Sequence, residues 1–210
     1  MAAFDFKKDR KDLYNPATAP AIVDVPEMLY IMIDGAGDPN TCAAYGAAIQ
    51  ILYGLAYTIR MNKAETGYFE FVVPPPEGLW SMRGTAFQGG GAIGDKNIFI
   101  WTMMLRQPPF VTLRAFEAAK AKLAGKKPEL DLSPARLERF AEGLCVQALH
   151  LGPYDSEPAT VRAMERYREQ RGFKPDFTNT RRHHEIYLSN PLKTAPETMK
   201  TILRHPIKRR

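Results

Sequence analysis

The chain has 210 residues, 45% hydrophobic and 10% aromatic, which is enough apolar surface for one large packed domain and excludes wholesale disorder. Its net charge is +6, but 29 basic residues are interleaved with 23 acidic ones, and the densest cluster is only the tail "RHPIKRR"; the charge reads as solubility rather than as nucleic-acid binding. No run approaches the ~18 apolar residues of a membrane span, and the N-terminus lacks the apolar core of a signal peptide. Cys42 and Cys145 are far apart and have no metal-ligand spacing, so free thiols in a cytoplasmic protein, with no cofactor, are expected.

From the N-terminus, "PEMLYIMID" reads as a strand and runs into a Gly-Asp-Pro turn. Ala44, Ala48, Ile51, Leu55 and Ile59 then recur at helical spacing. "GYFEFVVP" (67–74) reads as a strand by its β-branched and aromatic content, and "PPPEGLW" as a proline-stiffened turn delivering Trp80. The Gly-rich "FQGGGAIGDKN" (87–97) is followed by a strand rather than a helix, so it lacks the helix N-terminus of a phosphate loop; a flexible strand-to-strand loop near a pocket mouth is the reading.

"NIFIWTMMLRQP" (97–108) is a strand with Phe99, Trp101, Met103 and Leu105 on one face and Ile98, Ile100 and Met104 on the other. "TLRAFEAAKAKLAG" (112–125) reads as a helix and "SPARLERFAEG" (133–143) as a short helical linker. Next come a strand ending at "HLGPYDSEPAT", a helix carrying Val161, Met164 and Tyr167, and two strands, "RRHHEIYLS" (181–189) and "MKTILRHP" (199–206).

The order strand-helix-strand-strand therefore occurs twice, with Gly35 set against Gly152 and "LRQP" against "LRHP". The expected fold is a single α/β (α+β) domain over residues 1–210. It is a tandem, pseudo-twofold pair of β-α-β-β units, with repeat one at about 26–106, a helical connector at about 112–141 and repeat two at about 142–206. The units form one antiparallel sheet with helices on one face and a central ligand cleft.

In "HHEIYL", His184, Ile186 and Leu188 alternate with His183, Glu185 and Tyr187. The apolar set is expected under the helices, leaving imidazole, carboxylate and phenol together on the opposite face. His183 and His184 then point to opposite sides and cannot easily share one ion, so no metal site is expected. On this strand alone, the plainer reading of Glu185 is a solvated carboxylate on the wet side of the sheet. The doubly apolar strand at 97–108 must be covered on both sides, and Trp80, Phe99, Trp101, Tyr154 and Tyr187 could line one aromatic cavity with Glu185 at its floor. The same aromatics would also serve as core.

The blocks "GAGDPN", "LYGLAYTIR", "PPPEGLW", "WTMMLRQPPFV", "EGLCVQALHLGPYDSEPAT", "HHEIYLSNP" and "KTILRHP" together resemble the stand-alone GyrI-like small-molecule-binding proteins, from about residue 20 onward. The length, "GLW" and "LRQP" resemble the subfamily of cyclopropanoid cyclopropyl hydrolases, although "SMRGTAFQGGGAIGDKN" departs from its pattern. The resemblance implies an aromatic cage for a flat, hydrophobic small molecule, and water-driven opening of the cyclopropane in DNA-alkylating compounds such as yatakemycin. It places Glu185 as the water-orienting base and Tyr154 or Tyr187 as the hydrogen-bond donor, with Trp80 and Trp101 as stacking walls and Phe99, Met103 and His183 beside them. A non-catalytic protein that sequesters drugs needs the same cavity and is the alternative. Oligomeric state is not legible.

Overall fold

The computed structural model of the chain describes residues 3–63, 67, 70–84 and 95–210. Two short helices, α1 (Phe6–Asp9) and α2 (Lys11–Tyr14), precede β1 (Ala21–Ala36), α3 (Ala43–Met61), β2 (Glu77–Met82), β3 (Phe99–Gln107) and α4 (Leu113–Lys126). The second half follows with β4 (Arg136–Leu151), α5 (Glu157–Gln170), β5 (Phe173–Pro175), β6 (His183–Tyr187) and β7 (Lys200–Arg209). The strands form one antiparallel sheet in the order β4-β1-β3-β2-β6-β7-β5, and β4 also pairs with β7. That extra pairing closes the sheet into a barrel-like ring.

The β-α-β-β unit occurs twice, and the doubling shows most clearly in β1 and β4. Each is 16 residues long. They pair with one another from Ala21↔Gln147 to Met32↔Arg136, and each continues onto its own unit, β1 against β3 and β4 against β7. Both strands end on a glycine with positive φ, Gly37 (109°) and Gly152 (120°), which turns the chain toward the following helix. The conformational counterpart of Gly152 is thus Gly37 and not Gly35.

Two stretches depart from the sequence expectation. Residues 133–143 are not a helical linker: the connector helix stops at Lys126, and β4 starts at Arg136. The Ala, Leu, Glu and Arg of this stretch favour helix weakly, and the ladder with β1 overrides that preference. The strand expected at 67–74 is also displaced. Phe71 makes only an isolated bridge with Phe4, and the ladder begins at Glu77, after three prolines that cannot donate to it. Residues 64–66, 68 and 69 of this region, and 85–94 of the Gly-rich loop, lie outside the described residues.

Helices α3, α4 and α5 pack on one face of the sheet. Ile51, Leu52, Leu55 and Ile59 of α3 meet Ile31, Ile33, Met103 and Leu105, joined by Phe116 and Leu123 of α4. Val161 and Met164 of α5 meet Val146, Ala148 and Leu203. The opposite face is the inside of the ring. Met32, Leu79, Met104, Ile186 and Ile202 close on one another there, and Phe6, Leu13 and Tyr14 of the N-terminal helices plug the space. A protein layer therefore covers the second side of β3, as its doubly apolar pattern required.

The inside of the ring also holds a buried charge network. His184 Nδ1 lies 3.0 Å from Glu142 Oε2, and its Nε2 lies 3.0 Å from Glu77 Oε2. Arg204 donates to Glu142 Oε2 (3.0 Å), to Gln147 and to the Leu13 carbonyl, and the Tyr14 hydroxyl donates to Glu77 (2.7 Å). Carboxylates only accept, so a ring bridging two of them donates from both nitrogens and is an imidazolium. Burial disfavours that charge, but Glu142 and Glu77 outweigh it and raise the His184 pKa.

One packing detail yields a direct expectation. Trp101 lies across Gly35 of β1, where an added Cβ would come within 2.1 Å of the indole. Gly35→Ala forces the indole up into Tyr45 and costs about 1–3 kcal/mol, the usual scale for overpacking. Denaturant unfolding of the variant measures it.

Candidate functional site

The residues that gather on the helix-bearing face come from five elements. Register sets the base: Trp80 is opposite both Trp101 and His183, and Gly78 is opposite both Met103 and Glu185, so all of these share one face. Glu185 in turn pairs with Leu203, which packs under α5. The face carrying His183, Glu185 and Tyr187 is thus the one beneath the long helices, and His184 and Ile186 point into the ring. The sequence reading separated the two sets correctly but assigned them to the wrong sides. Closure of the sheet is the reason, because it makes the helix-free side an enclosed interior that needs Ile186.

Glycines let the aromatics settle close to the sheet. A Cβ on Gly78 would lie 2.7 Å from the Trp80 indole nitrogen and 3.1 Å from the Tyr187 hydroxyl. Across this gap Trp80 Nε1 donates to the Tyr187 hydroxyl at 2.8 Å. Phe99 packs edge-on against Trp80, with centroids 5.3 Å apart. From α3, Tyr45 tilts over Trp80 (6.0 Å) and stands edge-on over Trp101 (5.3 Å). Trp101, at 1% exposure, is therefore the support beneath Tyr45 rather than a facing wall. Met103 is likewise buried at the base.

The other wall comes from the turn before α5. His150 bonds Thr160 (2.9 Å) and the Pro153 carbonyl (3.1 Å), which fixes the turn carrying Tyr154 and Glu157. Tyr154 is 38% exposed and stands edge-on to Tyr187, with centroids 6.0 Å apart. Burial and the nearby Glu185 and Glu157 push its hydroxyl up to about 12. Tyr187 is pushed well up by burial and by the nearby Glu185.

At the centre, the Glu185 side chain is 12% exposed and its Oε1 lies 2.9 Å from His183 Nε2. Glu157 is only 7% exposed, and one of its oxygens has no hydrogen-bond partner. Burial, then Glu185, then Asp155 hold the Glu157 carboxyl well above the usual carboxylate range, which favours its protonated form. An acid and a base of the same residue type stand side by side, the arrangement that separates acid and base roles.

Glu157, His183 and Glu185 also offer ligand atoms within 4.8 Å of one another, a grouping the sequence did not reveal. The sequence reading expected no metal site from His183 and His184; this grouping instead uses His183 with two carboxylates, and His183 and Glu185 are also joined by a hydrogen bond.

All eight residues expected from the sequence thus lie on one face, with Trp101 and Met103 at its base. Tyr45 and Glu157 were missed. Tyr45 sits one position off the apolar stripe of α3, and the proximity of Glu157 to Glu185 is set by tertiary structure. The only sequence signal for Glu157 was its place at the start of a helix.

The fold and site define an α+β chain with a doubled β-α-β-β unit and an aromatic, acidic site between its helices. No protein-family model and no curated protein sequence matches the chain. Among solved structures it is similar to an uncharacterized conserved protein from Listeria innocua, with 45% identity and a TM-score of 0.91 over 98% of this chain and 100% of that one. A hydrolase from Listeria innocua is 44% identical with a TM-score of 0.88, again over 98% and 100%. The C-terminal domain of EcmrR shares the fold at 13% identity and a TM-score of 0.51, over 91% of this chain and 98% of that one. The chain belongs to the family of these Listeria innocua proteins. Among the described residues, no helix is long and apolar enough to cross a membrane.

Proposed function

We propose that this protein binds flat, hydrophobic small molecules between Tyr45, Trp80, Tyr154 and Tyr187, and hydrolyses the cyclopropane ring of cyclopropanoid DNA-alkylating compounds such as yatakemycin. The observation that carries the reading is a carboxylate, Glu185, set among aromatic rings within 4.8 Å of a second, buried carboxyl, Glu157. The description of a 44% identical relative as a hydrolase supports it, as does the resemblance of the sequence blocks.

In such a substrate the cyclopropane is conjugated to a dienone. Glu185 takes a proton from water as the water oxygen bonds to a ring carbon. The carbon–carbon bond of the ring breaks, and its electron pair moves through the conjugated system onto the dienone oxygen. Tyr154, which is 38% exposed and so free to face a ligand, donates to that oxygen, while the Tyr187 hydroxyl accepts from Trp80 Nε1; the oxygen then takes up a proton from solvent. The product is the substrate plus one water.

Mass spectrometry of a cyclopropanoid incubated with the protein tests this: a gain of one water is expected. Unchanged mass with tight binding would instead establish a sequestering protein, the reading favoured by how fully Trp101 and Met103 are packed. The cage has its own test. Trp80→Ala weakens binding of a flat aromatic ligand by about 1–3 kcal/mol, the scale for losing a stacking partner in a desolvated site. Trp80→Phe keeps the ring but loses the N–H to Tyr187, and recovers most of that affinity in a titration.

A further inference from the structure

Behind Glu185 stand two buried imidazoles that build no part of the aromatic walls. His183 Nε2 lies 2.9 Å from Glu185 Oε1, and His183 Nδ1 lies 2.7 Å from His205 Nε2. The register explains the row: β6 and β7 pair through His184↔Arg204, which sets His183 beside His205 on the site's own face. His205, 4% exposed, lines a dent at the protein surface with Glu165 and Arg168 of α5, Pro175, Phe177 and Pro206. The dent's cavity volume of about 10 Å³ is the room that one water needs. No hydrogen bond from a described residue engages His205 Nδ1.

We propose that His183 and His205 form a proton relay between Glu185 and solvent at this dent, a positioning and proton-transfer role that rests on the reading of Glu185 as the base. The hydrogen bonds are consistent with one proton on each ring: His205 Nε2–H donates to His183 Nδ1, and His183 Nε2–H donates to Glu185. This is the arrangement left after a proton has moved outward.

The outward step balances. The proton on Glu185 passes to His183 Nε2, the Nδ1 proton of His183 passes to His205 Nε2, and the Nδ1 proton of His205 passes to water in the dent. Three N–H or O–H bonds break and three form, and neither ring keeps a charge. Burial first, then His183 and Arg168, lower the His205 pKa well below its ordinary value against the opposing pull of Glu142, so the ring hands a proton on rather than storing it. The route returns Glu185 to its ionised form without passing protons through a cleft filled by an apolar ligand, and each ring then turns over to restore the Nδ1–H with which the step begins.

The test uses the full chain labelled with ¹⁵N-histidine and ¹⁵N-tryptophan. His205→Asn keeps a side-chain N–H for His183 Nδ1 but cannot take up and release a proton. Exchange of the His183 Nε2 proton with solvent is expected to slow about 10-fold or more, the low end of what a proton-transfer partner supplies. The buried Trp101 indole N–H exchanges as before. His205→Gln is the second variant should the Asn protein fail to fold. An unchanged His183 exchange rate in a folded variant overturns the relay. Turnover separates this from the reading beneath it: slowed exchange in the variant, with no water added to a cyclopropanoid by the unmutated protein, supports the relay and refutes the hydrolase.

Discussion

Glu185→Gln lowers turnover of a cyclopropanoid by roughly 10² or more, the usual contribution of a general base, while affinity for the unreacted compound changes little. The substitution keeps the volume and leaves a carbonyl oxygen to accept from His183 Nε2, 2.9 Å away. It removes the basic oxygen, and among the described residues the neighbouring carboxyl, Glu157, is a poor replacement because burial and Glu185 favour its protonated form. Two other outcomes have distinct meanings. If affinity for cationic ligands drops while neutral compounds still turn over, Glu185 acts only through its charge. If the Gln protein is fully active with unchanged binding, the carboxylate does no chemistry. Single-turnover kinetics with a binding titration at the same pH distinguishes the three.

The alternation in "HHEIYL" was legible because a strand's period of two does not depend on what covers either face. It put Glu185 with His183 and Tyr187, and away from His184 and Ile186, and register placed Trp80, Trp101 and Met103 with the first set. The side of the sheet they occupy was not legible. An open sheet hides its apolar face under helices, but pairing of β4 with β7 makes a second apolar space. That pairing joins residues 49 to 61 positions apart, and Phe6, Leu13 and Tyr14, which fill the space, lie ahead of the first element read from the sequence. Tyr45 and Glu157 were hidden for a related reason, since each reaches the site from a helix whose own periodicity reports only its core stripe. The strand start at Arg136 was masked because local propensity there favours the element that does not form.

The network inside the ring carries the largest expected effect on stability. Arg204→Leu is expected to destabilise the protein by about 3–5 kcal/mol at pH 6, because removing one partner strands a buried charge. Glu142 loses the donor at 3.0 Å, Gln147 loses its partner, and the Leu13 carbonyl that ties the N-terminal plug to β7 is left unbonded. The pH dependence identifies the cause. Burial pushes the Glu142 carboxyl up, but His184 and Arg204 together bring it down to about 2. Its contribution is therefore complete above the ordinary 4.5 and is lost as the pH falls toward 2. His184 is shifted the other way, so its contribution is complete below the ordinary 6.5 and is lost as the pH rises through its raised folded value. Unfolding free energy of the unmutated protein should plateau between these limits, with an acid limb owed to Glu142 and an alkaline limb owed to His184. In Arg204→Leu the acid limb moves to higher pH, since one of the two cations holding Glu142 down is gone. The alkaline limb persists, because His184 still bridges Glu142 and Glu77. Urea unfolding across this range checks both limbs. An equal loss at every pH would mean that Arg204 contributes packing alone, and that the charges around it are balanced without it.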